Sequence, residues 1–345
     1  MSARAKVEMS DGGHARSIEV VGDLAGVPDH LKGGAIAIGN FDGVHRGHQA
    51  VLERTRTIAK EIGGPAGVML FSPHPRQFFR PADPHFTLTP LPERLRLLEA
   101  LGLDLAVVLP FDERMAGLDA ESFVTGILVE KLAVRHVVIG YDFHFGRGRT
   151  GSPDVMRALG ARFGFGVTVS DPVGEAGEVF SSSRVRALIA AGDVRGAAEV
   201  LGHWWRVVGR VVGGAHRGTG MGFPTANLRM EPGYVLKHGI YAARVVVDGV
   251  RHGAAAYLGT RPTFDNGAPV LEVFLFDFDG DLYGREIAVE MIAHLRDDRA
   301  FPDVEALMRQ MEKDCDAARS ILAAVAAEDP MQRFPLGRAL AATAG

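Results

Sequence analysis

The chain has 345 residues and a formal net charge of −4, and at roughly 150 residues per domain that length points to two cores rather than one. Hydrophobic residues make up 47% and charged residues 23%, a composition that excludes wholesale disorder, collagen and coiled-coil arrays. The near-neutral charge argues against broad, sequence-independent nucleic-acid binding, which needs a surplus of cations to displace phosphate counterions.

Arg4, Lys6, Glu8, Asp11, Glu19 and Asp23 interrupt the region where a signal peptide needs a continuous apolar stretch. No later run reaches the 18 or so apolar residues of a membrane span, and Cys315, the single cysteine, has no partner for an internal disulfide. A cytoplasmic protein without membrane contact is expected.

From residue 34 to about 170, short apolar runs alternate with helix-period segments. Ala35 to Ile38, Gly67 to Phe71, Leu105 to Leu109, His136 to Ile139 and Gly166 to Val169 read as strands. The helix after the first strand carries Val51, Leu52, Thr55, Ile58, Ala59 and Ile62 on one stripe. This order predicts an α/β domain with a parallel sheet covered on both faces and ligands at the carboxyl ends of its strands.

Two Ala-rich helical segments between Ser182 and Leu201, broken at Gly192-Asp193, lead out of that sheet and put the domain division at 18–202 and 203–328. After Trp204 the period becomes two: Arg206 to Val212, Tyr241 to Val247, Gly253 to Leu258, Val270 to Phe278 and Ile287 to Leu295. Asp248-Gly249 and Asp279-Gly280 read as tight hairpin turns with φ > 0. A helix from about Asp303 to Ala327, with Val304, Leu307, Met308, Met311, Cys315, Ala318 and Leu322 on its apolar stripe, should close one side of an antiparallel barrel. Residues 1–17 and 329–345 read as tails, the latter loosely ordered.

The first strand runs into Gly39-Asn40-Phe41-Asp42-Gly43-Val44-His45-Arg46-Gly47-His48, which opens the helix. Glycines let the backbone approach a ligand, the helix start favours an anion, and His45 and His48 can both donate to phosphate oxygens. The competing readings are a turn with solvated imidazoles and, less suited because no carboxylate or cysteine stands at matched spacing, a metal site.

This string resembles the His-x-Gly-His nucleotidyltransferases, and its full length looks like their bacterial flavin branch. The resemblance implies a Rossmann-like domain in which Gly39, Asn40, Asp42 and Gly47 line the ATP site and His45 and His48 are catalytic. An acceptor phosphate attacks the α-phosphorus and pyrophosphate leaves, chemistry that needs positioning and charge stabilisation. Phe71-Ser72-Pro73-His74-Pro75 resembles the family's Pro-His-Pro loop, and Gly140 to Gly146 its Asp-Phe-x-Phe-Gly loop, with His144 where Arg is more usual. By that likeness Pro73, His74, Asp142 and Phe143 belong to the flavin side. Ser181 to Arg186 resembles the Ser-Ser-Thr-x-x-Arg signature. Serines there are ordinary N-caps on their own, but the likeness implies that Ser182, Ser183, Arg184 and Arg186 donate to the β and γ phosphates.

Gly213 to Asn227 holds five glycines and lacks the Lys-Ser/Thr ending of a Walker loop, which leaves a flexible linker or a second nucleotide cradle. Gly222-Phe223-Pro224-Thr225-Ala226-Asn227 is similar to the signature of riboflavin kinases. That likeness implies that Gly214, Gly218, Gly220, Gly222, Pro224 and Thr225 bind nucleotide, and that Thr225 and Asn227 help hold Mg²⁺, a cation suited to oxygen ligands. The attacking hydroxyl needs a base, and the resemblance points to Glu272, with Arg296 and Phe301 beside the flavin. Tyr257-Leu258 stands where Asn-Ile is more common and Asp298 where Glu is usual. The acidic turn Asp277, Asp279, Asp281 is no calcium loop, because its twelfth residue is Ala288.

From about residue 18 to 325 the chain resembles the bacterial bifunctional riboflavin kinase/FAD synthetase family. The expected substrates are riboflavin, FMN and ATP as co-substrate, the products FMN and FAD, and the cofactor Mg²⁺, with no nucleic acid or membrane partner. Weak self-association stays open. The rival readings are a single-activity FMN adenylyltransferase and a non-catalytic flavin-binding regulator.

Overall fold

Near-continuous apolar runs suit strands covered on both faces. The computed structural model, which describes residues 17–83, 85–213, 225–230, 233–260 and 269–342, uses them that way. Strand β2 (Ala35–Ile38) is buried at all four positions and pairs in parallel with β3 (Ala66–Ser72) and β5 (His136–Gly140). Adding β4 (Leu105–Pro110), β6 (Gly166–Ser170) and β1 (Glu19–Val21) gives a parallel sheet of order β1-β4-β3-β2-β5-β6. Ala35 and Ala37 meet Leu52 and Ile58 of the helix Arg46–Ile62, while Ile36 and Ile38 face Phe123 and Leu128 on the other side. Strand β1 escaped the sequence reading because it is three residues long, largely exposed and at the sheet edge. A two-residue ladder of β7 (Gly174–Glu175) with β8 (Glu178–Val179) was likewise too short to read.

The chain winds outward from β2 through β3 to β4, then returns to β5 and continues to β6 on the opposite flank. The switch point therefore lies between β2 and β5, where an open α/β sheet leaves a crevice at its carboxyl ends. The segments that leave these two strands begin at Gly39 and Tyr141.

The second half forms a closed antiparallel barrel from β9 (Arg206–Val212), β10 (Ala226–Arg229), β11 (Gly239–Val247), β12 (Val250–Thr260), β13 (Pro269–Leu275) and β14 (Glu286–Arg296). Strand β10 went unread because its four residues sit inside the motif taken as a loop. Asp248 and Gly249, at φ 51° and 80°, make the expected tight turn between β11 and β12. The second expected hairpin is corrected. The barrel order β10-β13-β12-β11-β14-β9 puts β12 and β11 between β13 and β14, so residues 276–285 must arch across rather than turn back. Its left-handed residues are Asp277 at φ 54° and Gly284 at φ 72°, not Asp279-Gly280.

The 24-residue helix Val304–Ala327 starts at Asp303, whose carboxylate accepts from the Ala306 amide at 2.6 Å. Ala318, Leu322 and Val325 pack against Phe276 and Ile292 on the barrel exterior, whereas Val304, in the first turn, stays 55% exposed and leaves the expected stripe. The expectation of a loose tail after Asp329 is also overturned. A 3-10 turn (Pro330–Arg333) and a helix (Pro335–Ala342) follow, with Met331, Phe334 and Leu336 buried. The tail is ordered because its apolar residues enter two cores: Phe334 joins the barrel–helix cluster and Leu336 the cluster under β2.

Inside the barrel wall, Glu290 accepts from Arg206 at 2.6 Å and Arg244 at 2.9 Å, its neighbours on either flanking strand. Burial raises the Glu290 pKa, but the two guanidiniums outweigh it and hold the group below the ordinary glutamate value. A depressed carboxylate stabilises the fold fully at neutral pH and loses that contribution as pH falls through its folded-state pKa. Glu290→Ala, which takes the carboxylate from Arg206 and leaves Arg244 with Asp329 alone, should cost roughly 3–5 kcal/mol in urea unfolding at pH 7, and proportionately less in acid.

Candidate functional site

The segment after β2 is backbone under constraint. Phe41 and Val44 hold φ of 50° and 46° and Gly43 holds 84°, conformations that non-glycine residues adopt at a cost of about 1–3 kcal/mol each. The surroundings enforce them. The buried Asp42 carboxylate accepts from the Leu88 amide at 3.1 Å, the Thr89 amide at 3.0 Å and the Thr89 hydroxyl at 3.3 Å. That hydroxyl also accepts from the Gly43 amide at 2.9 Å. Gln49 ties the loop from below, donating to the Val44 carbonyl at 2.8 Å and the Leu201 carbonyl at 2.6 Å. A Cβ on Gly43 would stand 3.0 Å from Leu88 and 3.1 Å from Leu201.

Asp42 also gathers cations. Its carboxylate is ion-paired with Arg186 and lies 3.5 Å from the Arg94 guanidinium. Its backbone carbonyl accepts from the Ser182 hydroxyl at 2.8 Å. Arg186 donates in turn to the Phe86 carbonyl at 2.8 Å, and Arg94 to the Asn40 carbonyl at 2.9 Å. One carboxylate thus joins the β2 loop, residues 85–94 and the start of the helix Ser182–Ala191.

His45 caps the helix Arg46–Ile62, its Nδ1 accepting from the His48 amide at 3.3 Å. That bond places the proton of a neutral ring on Nε2. The two imidazoles stack at 3.5 Å between centroids, and the Phe41 edge meets His48 at 5.1 Å. Burial lowers the His45 pKa to about 4. It drives His48 well below the usual value, with His45 and Arg94 adding to the effect. Both rings are therefore neutral near pH 7. Gly47 makes room for them, since a Cβ there would lie 3.1 Å from the His45 Nδ1.

The Pro73-His74 loop reaches the same place: the His74 ring lies 4.6 Å from His85, which contacts Arg186, and burial brings His74 to about 4. Asp142 and Phe143 stand at the end of β5, across the switch point, with Phe143 stacked 5.5 Å from Phe145. His144 contacts the Asp142 carbonyl at 2.9 Å. Ser183 is exposed, and Arg184 turns to an ion pair with Glu178, away from the Asp42 cluster. Beside His74 and His85 a cleft of about 1080 Å³ opens towards the barrel, lined among others by Arg94, Arg206 and Arg210.

Arg94, Thr89 and His85 were missed from sequence. Arg94 carried a legible signal: it takes an interior position of the helix Leu91–Ala100, three and four residues from Leu91 and Leu98, and is 6% exposed. Thr89 and His85 lie between elements and carried none.

In the barrel, Asn227 on β10 stands opposite Glu272 on β13, and Glu272 opposite Tyr257 on β12. Directly opposed residues share a face, so the three side chains form one row. The Asn227 amide donates to the Thr225 carbonyl at 3.1 Å, which orients its oxygen the other way. The two departures noted in the sequence meet, the Tyr257 hydroxyl donating to Asp298 at 2.9 Å. Arg296 binds Asp314 at 2.7 Å and lies 5.6 Å from the Phe301 ring. Gly214, Gly218, Gly220, Gly222 and Pro224 lie outside the described residues.

The family model for FAD synthetase matches residues 27–184, and that for riboflavin kinase residues 201–322. The chain belongs to the bifunctional riboflavin kinase/FMN adenylyltransferase family. The Pseudomonas fluorescens member is 40% identical over 297 residues, covering 86% of this chain and 95% of its own. The Escherichia coli K12 member is 37% identical over 289 residues, covering 84% and 92%. A solved structure described as a macrolide-efflux protein from Streptococcus pneumoniae superposes with a TM-score of 0.77 at 28% identity, covering 88% of this chain and 99% of that one. Among the described residues no helix is long and apolar enough to cross a membrane.

Two outcomes follow from the histidine geometry. Gly47→Ala, by displacing His45, should slow FAD formation from supplied FMN by at least about tenfold, with FMN formation from riboflavin unchanged in the same preparation. The kcat/KM for FAD formation, which reports groups of the free enzyme, should show no inflection across about pH 6 to 8, where an ordinary histidine titrates. It should fall on the acid side near pH 4, as protonation of His45 removes the acceptor at Nδ1.

Proposed function

We propose that the barrel half phosphorylates riboflavin with ATP to give FMN, and that the sheet half transfers AMP from a second ATP to FMN, releasing pyrophosphate and FAD. The observation that carries the reading is the joining of His45, His48, Ser182 and Arg186 around Asp42 at the switch point, together with the Asn227–Glu272 row across the barrel. The proposed division between the halves is 18–202 and 203–328.

Adenylyl transfer needs no protein nucleophile, so the site's work is to align the FMN phosphate with the α-phosphorus and to receive the charge on the departing pyrophosphate. The amides of the Arg46–Ile62 helix start and the neutral His45 Nε2–H serve as phosphate donors. Arg186 reaches the pyrophosphate side in exchange for part of its pairing with Asp42, and Ser182 and the helix start at residue 182 add donors there. The cleft beside His74 offers the isoalloxazine a place next to Pro73, with Asp142 and Phe143 across the crevice.

In the kinase half, Glu272 takes the proton of the ribityl hydroxyl as it attacks the γ-phosphorus. Thr225 and Asn227 are neutral oxygen donors side by side, a set that fits Mg²⁺ better than softer metals. When bound there, Mg²⁺ supplies charge neutralisation on the ATP phosphates. Arg296 and Phe301 frame the flavin side. We place both reactions in the cytoplasm, acting on small molecules.

Incubating the protein with riboflavin, ATP and Mg²⁺ and separating the flavins over time should yield FMN and then FAD. Absence of both would refute the reading. Glu272→Ala should lower FMN formation by a factor of about 10² or more while FAD still forms from supplied FMN, and His48→Ala should do the reverse.

A further inference from the structure

Beyond the last residue matched by the riboflavin kinase family, Leu322, the chain forms a strap that ties the barrel to the adenylyl-transfer site. Asp329 anchors it on the barrel side, its carboxylate accepting from the Trp204 indole at 3.0 Å and from Arg244 at 3.2 Å. Five residues on, Phe334 packs with Trp204, Phe276 and Leu322 in the barrel–helix core. Two residues further, Leu336 is fully buried in the other core, with Phe41, Val44 and Leu52 around the phosphate-loop helix.

Between these anchors the strap touches the histidine motif itself. Arg46, flanked by His45 and Gly47, has its guanidinium 4.7 Å from the Phe334 ring centroid and 4.3 Å from that of Phe180. Its charge is paired with Glu175 at 2.7 Å. Phe180 directly precedes Ser181, which caps the helix that carries Ser182 and Arg186. Gly202 completes the fit: it holds φ 73°, and a Cβ there would press on Arg46 at 3.2 Å and on Phe334 at 3.4 Å. Arg46 therefore sits between two aromatic rings, one from the strap and one from the entry to the second phosphate-side helix.

We infer that Phe334 is a positioning residue for FAD formation: by clamping Arg46 against Phe180 it sets the histidine-bearing helix start in register with the helix start of Ser182 and Arg186. Phe334 acts through Arg46 and touches no substrate. The strap thereby makes the geometry of one active site depend on a segment continuous with the other domain. The inference rests on the proposed role of His45 and His48 in adenylyl transfer.

The test measures both activities in the full-length chain. Phe334→Ala should lower kcat for FAD formation from supplied FMN about five- to tenfold, the scale of a well-packed cation–π contact. The KM for FMN and the rate of FMN formation from riboflavin should stay within about twofold of wild type. Phe334→Tyr, which keeps the ring face, should restore kcat. Arg46→Gln should cause a similar loss, and the Arg46→Gln/Phe334→Ala double variant little more, as expected for residues acting through one contact. Leu336→Ala controls for the strap's packing alone and should lower thermal stability with a smaller effect on kcat than Phe334→Ala. The inference is overturned if Phe334→Ala keeps wild-type kcat, if both activities fall together, or if the double variant shows the product of the single losses. If wild-type protein makes no FAD from FMN, the assignment of the site fails instead, and the two failures are distinguishable.

Discussion

The buried carboxylate of Asp42 is the interaction on which the first half of the molecule depends. An ionised group out of water must be compensated by donors on every side, and here the donors come from two segments far from Asp42 in sequence: the amides of Leu88 and Thr89 with the nearby guanidinium of Arg94, and the guanidinium of Arg186. Satisfying one charge thus fixes where three chain segments meet. It also explains how Phe41 and Val44 keep left-handed backbone beside the histidines: the strain is held by a bonding pattern that would be lost if the loop relaxed.

The two halves bring their polar side chains together with different materials. The sheet half uses a switch point, where two parallel strands diverge and the starts of following helices converge. The barrel half uses register: in an antiparallel ladder, residues directly opposed on β10, β13 and β12 must share a face, so Asn227, Glu272 and Tyr257 align without further arrangement. The first kind of site is sensitive to loop geometry; the second inherits its precision from hydrogen bonds among strands.

Much of this was legible in the sequence where the pattern is local. The apolar runs marked the central strands, and their alternation with helices put the crevice at the carboxyl ends of the sheet. What stayed hidden depended on distant partners. Strand β10 is four residues inside a motif that reads as a loop, and it is a strand because Val273 to Val270 pair with it. Arg94 could have been picked out as a charge on an apolar helix face, but its distant partner, the Asn40 carbonyl, could not. The tail after Asp329 has the proline and glycine of a loose end, and its order comes from two cores that no local window contains. Asp279-Gly280 has the right residues for a tight turn, but the barrel's strand order asks for a crossing there.

The helices between the sheet and the barrel carry a consequence for folding. Val185 and Ile189, on either side of Arg186 in the same helix, belong to the hydrophobic cluster that fills the barrel, together with Val207, Leu228, Leu271 and Met291. The segment that looks like a linker is shared masonry: one face carries Arg186 to Asp42 and its apolar face completes the barrel core. Two catalysts joined in this way are not beads on a string.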